Sequence, residues 1–153
     1  MSTTVPPHGP LPRIEKSGQL QLGALVFNES DLLDIMGPMR IFGEELTKMN
    51  IKINFITVYD NLDPIRTSQQ VQIHPQYTLK DAPHMDMFFM PGGYGTREQC
   101  RDPEIMKLIT PRLEAATWVM TVCTGSGILA KSGLIDGYRA TTNKAVFEWA
   151  ACE

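Results

Sequence analysis

The sequence predicts an α/β domain in which a mainly parallel sheet lies between two layers of helices. Three observations carry this. Short apolar runs of strand length recur at Leu20–Phe27, Ile51–Tyr59, Met85–Met90 and Trp118–Val122. Between them stand segments with helical spacing, one after Pro38 and one after Asp102-Pro103. The last run turns at once through small residues into a further helical pattern, and strands alternating with helices fold as parallel sheets.

The chain has 153 residues, 42% hydrophobic and 20% charged, which fits one domain with its own core. Residues 1–18 are polar and Pro-rich and read as a disordered tail, with His8 a solvated residue; the domain is then 19–153. The tail lacks the apolar segment of a secretory signal and the Arg/Ser bias of a transit peptide. No run reaches the length of a membrane-spanning helix, so the expected location is cytoplasmic. A formal net charge of −3 without a Lys/Arg block gives no electrostatic case for nucleic acid or an anionic membrane. Cys100, Cys123 and Cys152 form neither a CxxC pair nor a cluster with histidine. Neither a disulfide framework nor a metal site is expected, and a reducing compartment suits the chain better.

In chain order, Leu20–Phe27 is a first buried strand and Asn28–Asp31 a polar loop. Pro38 suits the first turn of a helix running to about Asn50, with Ile41, Phe42, Leu46 and Met49 on its apolar side. Asp34 then stands at or just before the helix start. Spacing alone favours a carboxylate that satisfies backbone N–H groups there over a functional acid. Ile51–Tyr59 alternates as a second strand, Asp60–Pro64 is a turn, and Val71–His74 with Gln76–Leu79 form a small hairpin or excursion. His74 and His84 have no second ligand nearby and read as structural. The nine methionines sit at apolar positions as core filler.

Met85–Met90, the third strand, leads into Pro91-Gly92-Gly93-Tyr94-Gly95. This spacing is neither GxGxxG nor a P-loop, which leaves nucleotide binding with little support. Glycines here let the backbone approach closely and turn N–H groups inward, so an oxyanion-type pocket and an ordinary strand-to-helix turn stand level. Asp102-Pro103-Glu104 opens a helix ending near Glu114. Cys100, in a polar loop just ahead of it, reads as an incidental thiol.

The segment around Cys123 organises the rest. Trp118–Val122 reads as a buried strand, Thr124–Gly127 as a small-residue turn, and Ile128–Lys131 as a helical pattern closed by Gly133. A nucleophile-type side chain at such a corner has the form of a nucleophile elbow, which exposes the sulfur at the carboxyl edge of the sheet. The helix that follows presents unpaired N–H groups and a partial positive charge, conditions that favour a thiolate. Beyond it, Leu134–Tyr138 is a turn segment and Arg139–Thr142 a short strand, and Asn143 caps a helix beginning at Lys144. An alternating chain would add strands after such a helix, so the fold reads as cut short at its C-terminal end.

Three motifs together resemble the ThiJ/PfpI superfamily, whose fold is that of the class I glutamine amidotransferases. They are Asp34-Ile35-Met36-Gly37-Pro38, Pro91–Gly95 and Val122-Cys123-Thr124-Gly125, and the resemblance spans Leu20–Glu153. Within the superfamily it is closest to the isonitrile hydratase-like branch. It implies a flavodoxin-like three-layer sandwich, a small-molecule substrate, a homodimer, and no cofactor or metal. It also implies Cys123 as nucleophile, Asp34 as the carboxylate close to its sulfur, and Thr124 as a flanking catalytic residue, with Gly92, Gly93 and Gly37 lining the substrate pocket. Thr124 stands where glyoxalase- and chaperone-type members carry His, and Asn143 where other members carry a His after the Thr-Thr pair. That argues against a local Cys–His dyad. Whether Asn143 takes over the histidine's role stays open. The expected reaction is hydration of a small electrophile such as an isonitrile to an N-substituted formamide. The alternatives are a ligand- or redox-sensing domain, like the sensing half of AraC-type regulators, or an inactive shortened family member.

Overall fold

Hydrophobic alternation sets the sheet. In β1 (Gln19–Leu25), Leu20, Leu22 and Ala24 join one cluster and Leu25 the other, on opposite faces. The chain is described here from a computed structural model, over residues 19–49 and 51–150, the side chain of Ala150 excepted. The sequence-predicted tail, Cys152 and the residues after Ala150 lie outside that range. After β1 come α1 (Leu32–Lys48), β2 (Lys52–Tyr59), and a two-stranded antiparallel hairpin of β3 (Ile65–Arg66) and β4 (Gln72–Ile73). Next are β5 (Tyr77–Thr78), β6 (Met87–Met90), α2 (Thr96–Arg101) and α3 (Pro103–Ala115). β7 (Trp118–Thr121), α4 (Gly125–Lys131), a 3-10 turn at Lys144–Val146 and α5 (Phe147–Ala150) complete the described chain.

The main sheet has the order β5-β2-β1-β6-β7, and every pair in it is parallel. β6 is buried along its whole length: Met87 and Phe89 face the side covered by α1, Phe88 and Met90 the side covered by α3 and α4. Leu46 of α1 belongs to the first cluster, and Ile105, Met106, Ile109 and Leu113 of α3 with Ile128 of α4 to the second. The expected flavodoxin-like α/β architecture is therefore the one observed. The chain winds one way from β1 to β2 and the other from β6 to β7. Parallel sheets open a crevice at such a reversal, beyond the carboxyl ends of the strands. The start of α1, the loop after β6 and the loop after β7 all meet there.

Several details differ from the sequence reading, each for a physical reason. α1 starts at Leu32, not near Pro38, because Asp31 caps it: Asp31 Oδ1 accepts from the N–H groups of Leu33 (2.9 Å) and Asp34 (3.2 Å). Pro38 lies inside the helix. Tyr77–Thr78 does not pair with Gln72–Ile73 but joins the main sheet beside β2, while the hairpin forms upstream. α2 went unforeseen, and Cys100 is buried on it, 1% exposed, rather than placed in a polar loop. Trp118–Thr121 is an edge strand, half-buried throughout, not a fully buried one. Arg139–Thr142 takes no strand pairing. The Asp102 cap and Pro103 start of α3 stand as read, with Asp102 Oδ1 accepting from Glu104 (2.8 Å) and Ile105 (3.3 Å).

Candidate active site

The turn after β7 forces Cys123 into the left-handed region, with φ of 54°. A residue with a side chain pays for that conformation, and sharp strand-to-helix corners that lift a nucleophile out of a sheet share it. Cys123 is half-buried and opens onto a pocket of about 410 Å³ lined by Thr121, Ser126, Thr141, Thr142 and Asn143.

Asp34 reaches the same point from the first turn of α1. Because Asp31 already serves the helix N–H groups, the Asp34 carboxylate is not occupied as a cap. It turns across the crevice instead, where Oδ2 accepts from Gly92 N–H at 3.1 Å, on the same edge of Gly92 that faces Cys123 Cβ. Burial pushes the Asp34 carboxyl above its ordinary range. The Gly92 N–H opposes the rise, the nearby Asp31 charge adds to it, and the neighbouring Cys123 thiol opposes it. A carboxyl raised in this way takes up a proton more readily than an ordinary carboxylate does.

The glycine loop sits between them. A Cβ on Gly92 would lie 2.7 Å from Cys123 Cβ, 2.8 Å from Asp34 Oδ2 and 2.8 Å from Thr124 N, so only glycine lets acid and thiol meet. Gly93 has φ of 125°, and a Cβ there would strike the Glu29 carbonyl oxygen. The loop N–H groups are already committed: Gly92 donates to Asp34, and Gly93 to Thr124 Oγ1 at 3.1 Å. Thr124 is buried, 4% exposed, and its hydroxyl lies 2.9 Å from that of Thr96, which reaches the Gly93 carbonyl at 2.8 Å. The Thr124 side chain thus clamps the glycine loop to the elbow and faces the interior. Gly37 lies in α1 one turn beyond Asp34, with nothing nearer its Cβ position than Leu33 Cδ1 at 4.0 Å.

Two further contacts bear on Cys123, one of them from Asn143, whose role the sequence left open. The Thr142 hydroxyl donates to the Cys123 carbonyl (3.1 Å) and accepts from the Ser126 hydroxyl (2.7 Å). Next to it, Asn143 Nδ2 donates to Cys123 Sγ at 3.0 Å. His84 is engaged far from the thiol, 3.8 Å from Asp86, and the His74 carbonyl accepts from Thr57. A larger groove of about 740 Å³, lined by Arg101, Met106, Lys107 and Lys131, lies along α2 and α3, away from this chemistry. Among the described residues no cluster of His, Cys, Asp and Glu could hold a metal ion, and no helix is long and apolar enough to cross a membrane.

The pattern of the DJ-1/PfpI family matches residues 23–150, which takes in the Asp34 segment, the glycine loop and the elbow. The chain belongs to the DJ-1/PfpI family. It is 33% identical over 126 residues to isonitrile hydratase of Pseudomonas putida, covering 82% of this chain and 53% of that protein. An uncharacterised protein from the cpoL 5' region of Streptomyces lividans is 28% identical over 127 residues, covering 83% and 89% of the two chains. Among solved structures, a ThiJ/PfpI family protein from Pseudomonas syringae superposes with a TM-score of 0.74 at 30% identity, covering 91% of this chain and 57% of that one. DJ-1 from Schizosaccharomyces pombe gives a TM-score of 0.64 at 19% identity, covering 86% and 72%, a likeness of fold. This DJ-1/PfpI domain therefore spans little more than half the length of two of these relatives.

Proposed function

We propose that this DJ-1/PfpI domain carries a cysteine-dependent hydratase site acting on a small electrophile of the isonitrile class. The observation that carries it is the Asp34 carboxyl and the Cys123 side chain brought to the same edge of Gly92, where a single Cβ would touch both. The 33% identity to an isonitrile hydratase supports the choice of substrate. The thiol proton passes to Asp34, and the resulting thiolate attacks the terminal carbon of R–N≡C. Asp34 returns the proton to that carbon, which leaves a neutral thioimidate, Cys–S–CH=N–R. Asp34, again a carboxylate, then takes a proton from water as its oxygen adds to the C=N carbon, and passes that proton to the nitrogen. Collapse expels the thiolate and releases HC(=O)–NH–R, so one water is consumed and the enzyme regains its starting proton. A single carboxyl suffices because the two protons, one to the attacked carbon and one to the nitrogen, are delivered in separate steps and each is taken up by Asp34 first.

In this reading Cys123 is the nucleophile and Asp34 the acid and base. Gly92 keeps them in contact, Gly93 and Thr124 hold the loop, and Gly37 leaves room beside Asp34 for substrate. The homodimer is proposed on the family resemblance alone, and light scattering tests it. Incubating the purified protein with an aryl or alkyl isocyanide and measuring formamide tests the chemistry. Formamide formation lost in Cys123→Ala is the expected result. No formamide above that control removes the proposal, and a thiol that still alkylates would then point to a ligand- or redox-sensing domain.

A further inference from the structure

We propose that Asn143 is a catalytic residue: its carboxamide is locked as an N–H donor onto Cys123 Sγ, holding the thiolate while being unable to accept its proton. The orientation of the amide follows from its neighbours. Asn143 Oδ1 accepts from Ala145 N–H at 2.9 Å, at the start of the 3-10 turn. A backbone N–H needs an acceptor, so the oxygen is fixed on that side and Nδ2 is left facing the sulfur at 3.0 Å. The segment is tied to the elbow it serves, since Thr142 donates to the Cys123 carbonyl and accepts from Ser126.

The sulfur therefore has two partners of different kinds. Asp34 exchanges a proton with it; Asn143 offers a hydrogen bond and nothing else. While the thiol is neutral, the Asn143 contact is an ordinary weak bond to sulfur. Once the proton has moved to Asp34, the same contact is charge-assisted, which roughly doubles its strength. It weakens again when the sulfur becomes a neutral thioether carbon bond, and strengthens when the thiolate is expelled. A donor whose bond is strongest to the charged form lowers the barrier to forming and to expelling that form. An amide does not titrate in the working range, so Asp34 is the only proton carrier among these contacts. The inference deepens the hydratase reading by naming what replaces a histidine, but it concerns the sulfur alone and can be tested without an isonitrile.

The experiment is alkylation of Cys123 by iodoacetamide in the full chain, from pH 5 to pH 10, followed by mass spectrometry of the peptide carrying Cys123. Asn143→Ser keeps an oxygen for Ala145 N–H and removes the donor to sulfur. Asn143→Asp keeps that cap and places an anion beside the sulfur. The expected result is a rate near neutrality about tenfold lower in the Ser variant, the size of a lost charge-assisted hydrogen bond at an exposed site. The Asp variant falls further, and the pH midpoint moves up in both. A Ser variant that alkylates at the wild-type rate, with an unmoved midpoint and an unchanged thermal melt, overturns the proposal. If either variant fails to melt cooperatively, Asn143→His decides. An imidazole in this place adds a second inflection to the alkylation profile where it titrates, and a profile that superimposes on wild type overturns the proposal. A wild-type chain that releases no formamide, while the Ser and Asp variants alkylate more slowly as expected, would count against the isonitrile reading and not against the donor.

Discussion

Replacing Gly92 by alanine puts a methyl group between the acid and the thiol. The new Cβ would stand 2.7 Å from Cys123 Cβ and 2.8 Å from both Asp34 Oδ2 and Thr124 N. Ordinary contact begins at 3.4 Å, so each neighbour must withdraw by about 0.6–0.7 Å. One of the three is backbone at the elbow and cannot give way cheaply; the one atom free to swing aside is Asp34 Oδ2, and moving it breaks its bond to Gly92 N–H and carries the acid away from the thiol. Overpacking at a buried site costs about 1–3 kcal/mol. The larger effect falls on proton transfer, which needs donor and acceptor within about 2.6–3.2 Å. A misplacement on the order of 1 Å costs up to ~100-fold in rate. Gly92→Ala should therefore lower kcat for formamide release roughly 10- to 100-fold, with KM changed much less. A thermal melt in the same buffer shows whether the variant is folded. A folded variant with kcat within about twofold of wild type would refute the claim that this glycine sets the Asp34–Cys123 contact.

Burial raises the Asp34 carboxyl in the folded chain, so its contribution to folding is present at low pH and lost as pH rises through the folded value. Asp34→Asn should then melt higher than wild type at pH 7.5, with the gain shrinking as pH falls toward the ordinary carboxyl range, and formamide formation should be lost. Asp31→Asn keeps an effective cap on α1 but removes the charge that adds to the Asp34 rise. The acid limb of the pH–activity profile should move to lower pH, with stability unchanged within about 0.5 kcal/mol. Cys123 bears a positive φ, which costs a residue with a side chain about 1–2 kcal/mol relative to glycine. Cys123→Gly should accordingly be at least as stable as Cys123→Ala in urea melts, although both are inactive.

Much of this site could be read from the sequence because its signals are local. The Trp118–Gly125 run combines a β-branched strand, a cysteine and small residues, and those alone fix an elbow. Asp102-Pro103 likewise carries its cap and first-turn proline within three residues. Asp34 was harder, because two carboxylates stand within one turn of each other and Pro38 looks like a helix start. Only the geometry shows that Asp31 takes the backbone N–H groups, which releases Asp34 to cross the crevice. α2 escaped notice because Thr96 and Gln99 are buried through partners far along the chain: Thr96 meets Thr124, and Gln99 donates to the Tyr59 hydroxyl. The contact of Asn143 with sulfur spans 20 residues and depends on how Thr142 and Ser126 seat the segment, which no periodicity records.

Trp118, Val119 and Met120 leave the last strand half-covered, and among the described residues nothing pairs with its outer margin. A bare row of peptide groups at a sheet's rim recruits extended peptide from whatever surrounds it. Concentrated preparations of this chain by itself should gain intermolecular strand structure, visible as a growing low-frequency amide I band. Measurements on the thiol belong at the dilute end, where the corner that carries Cys123 stays clear of such pairing.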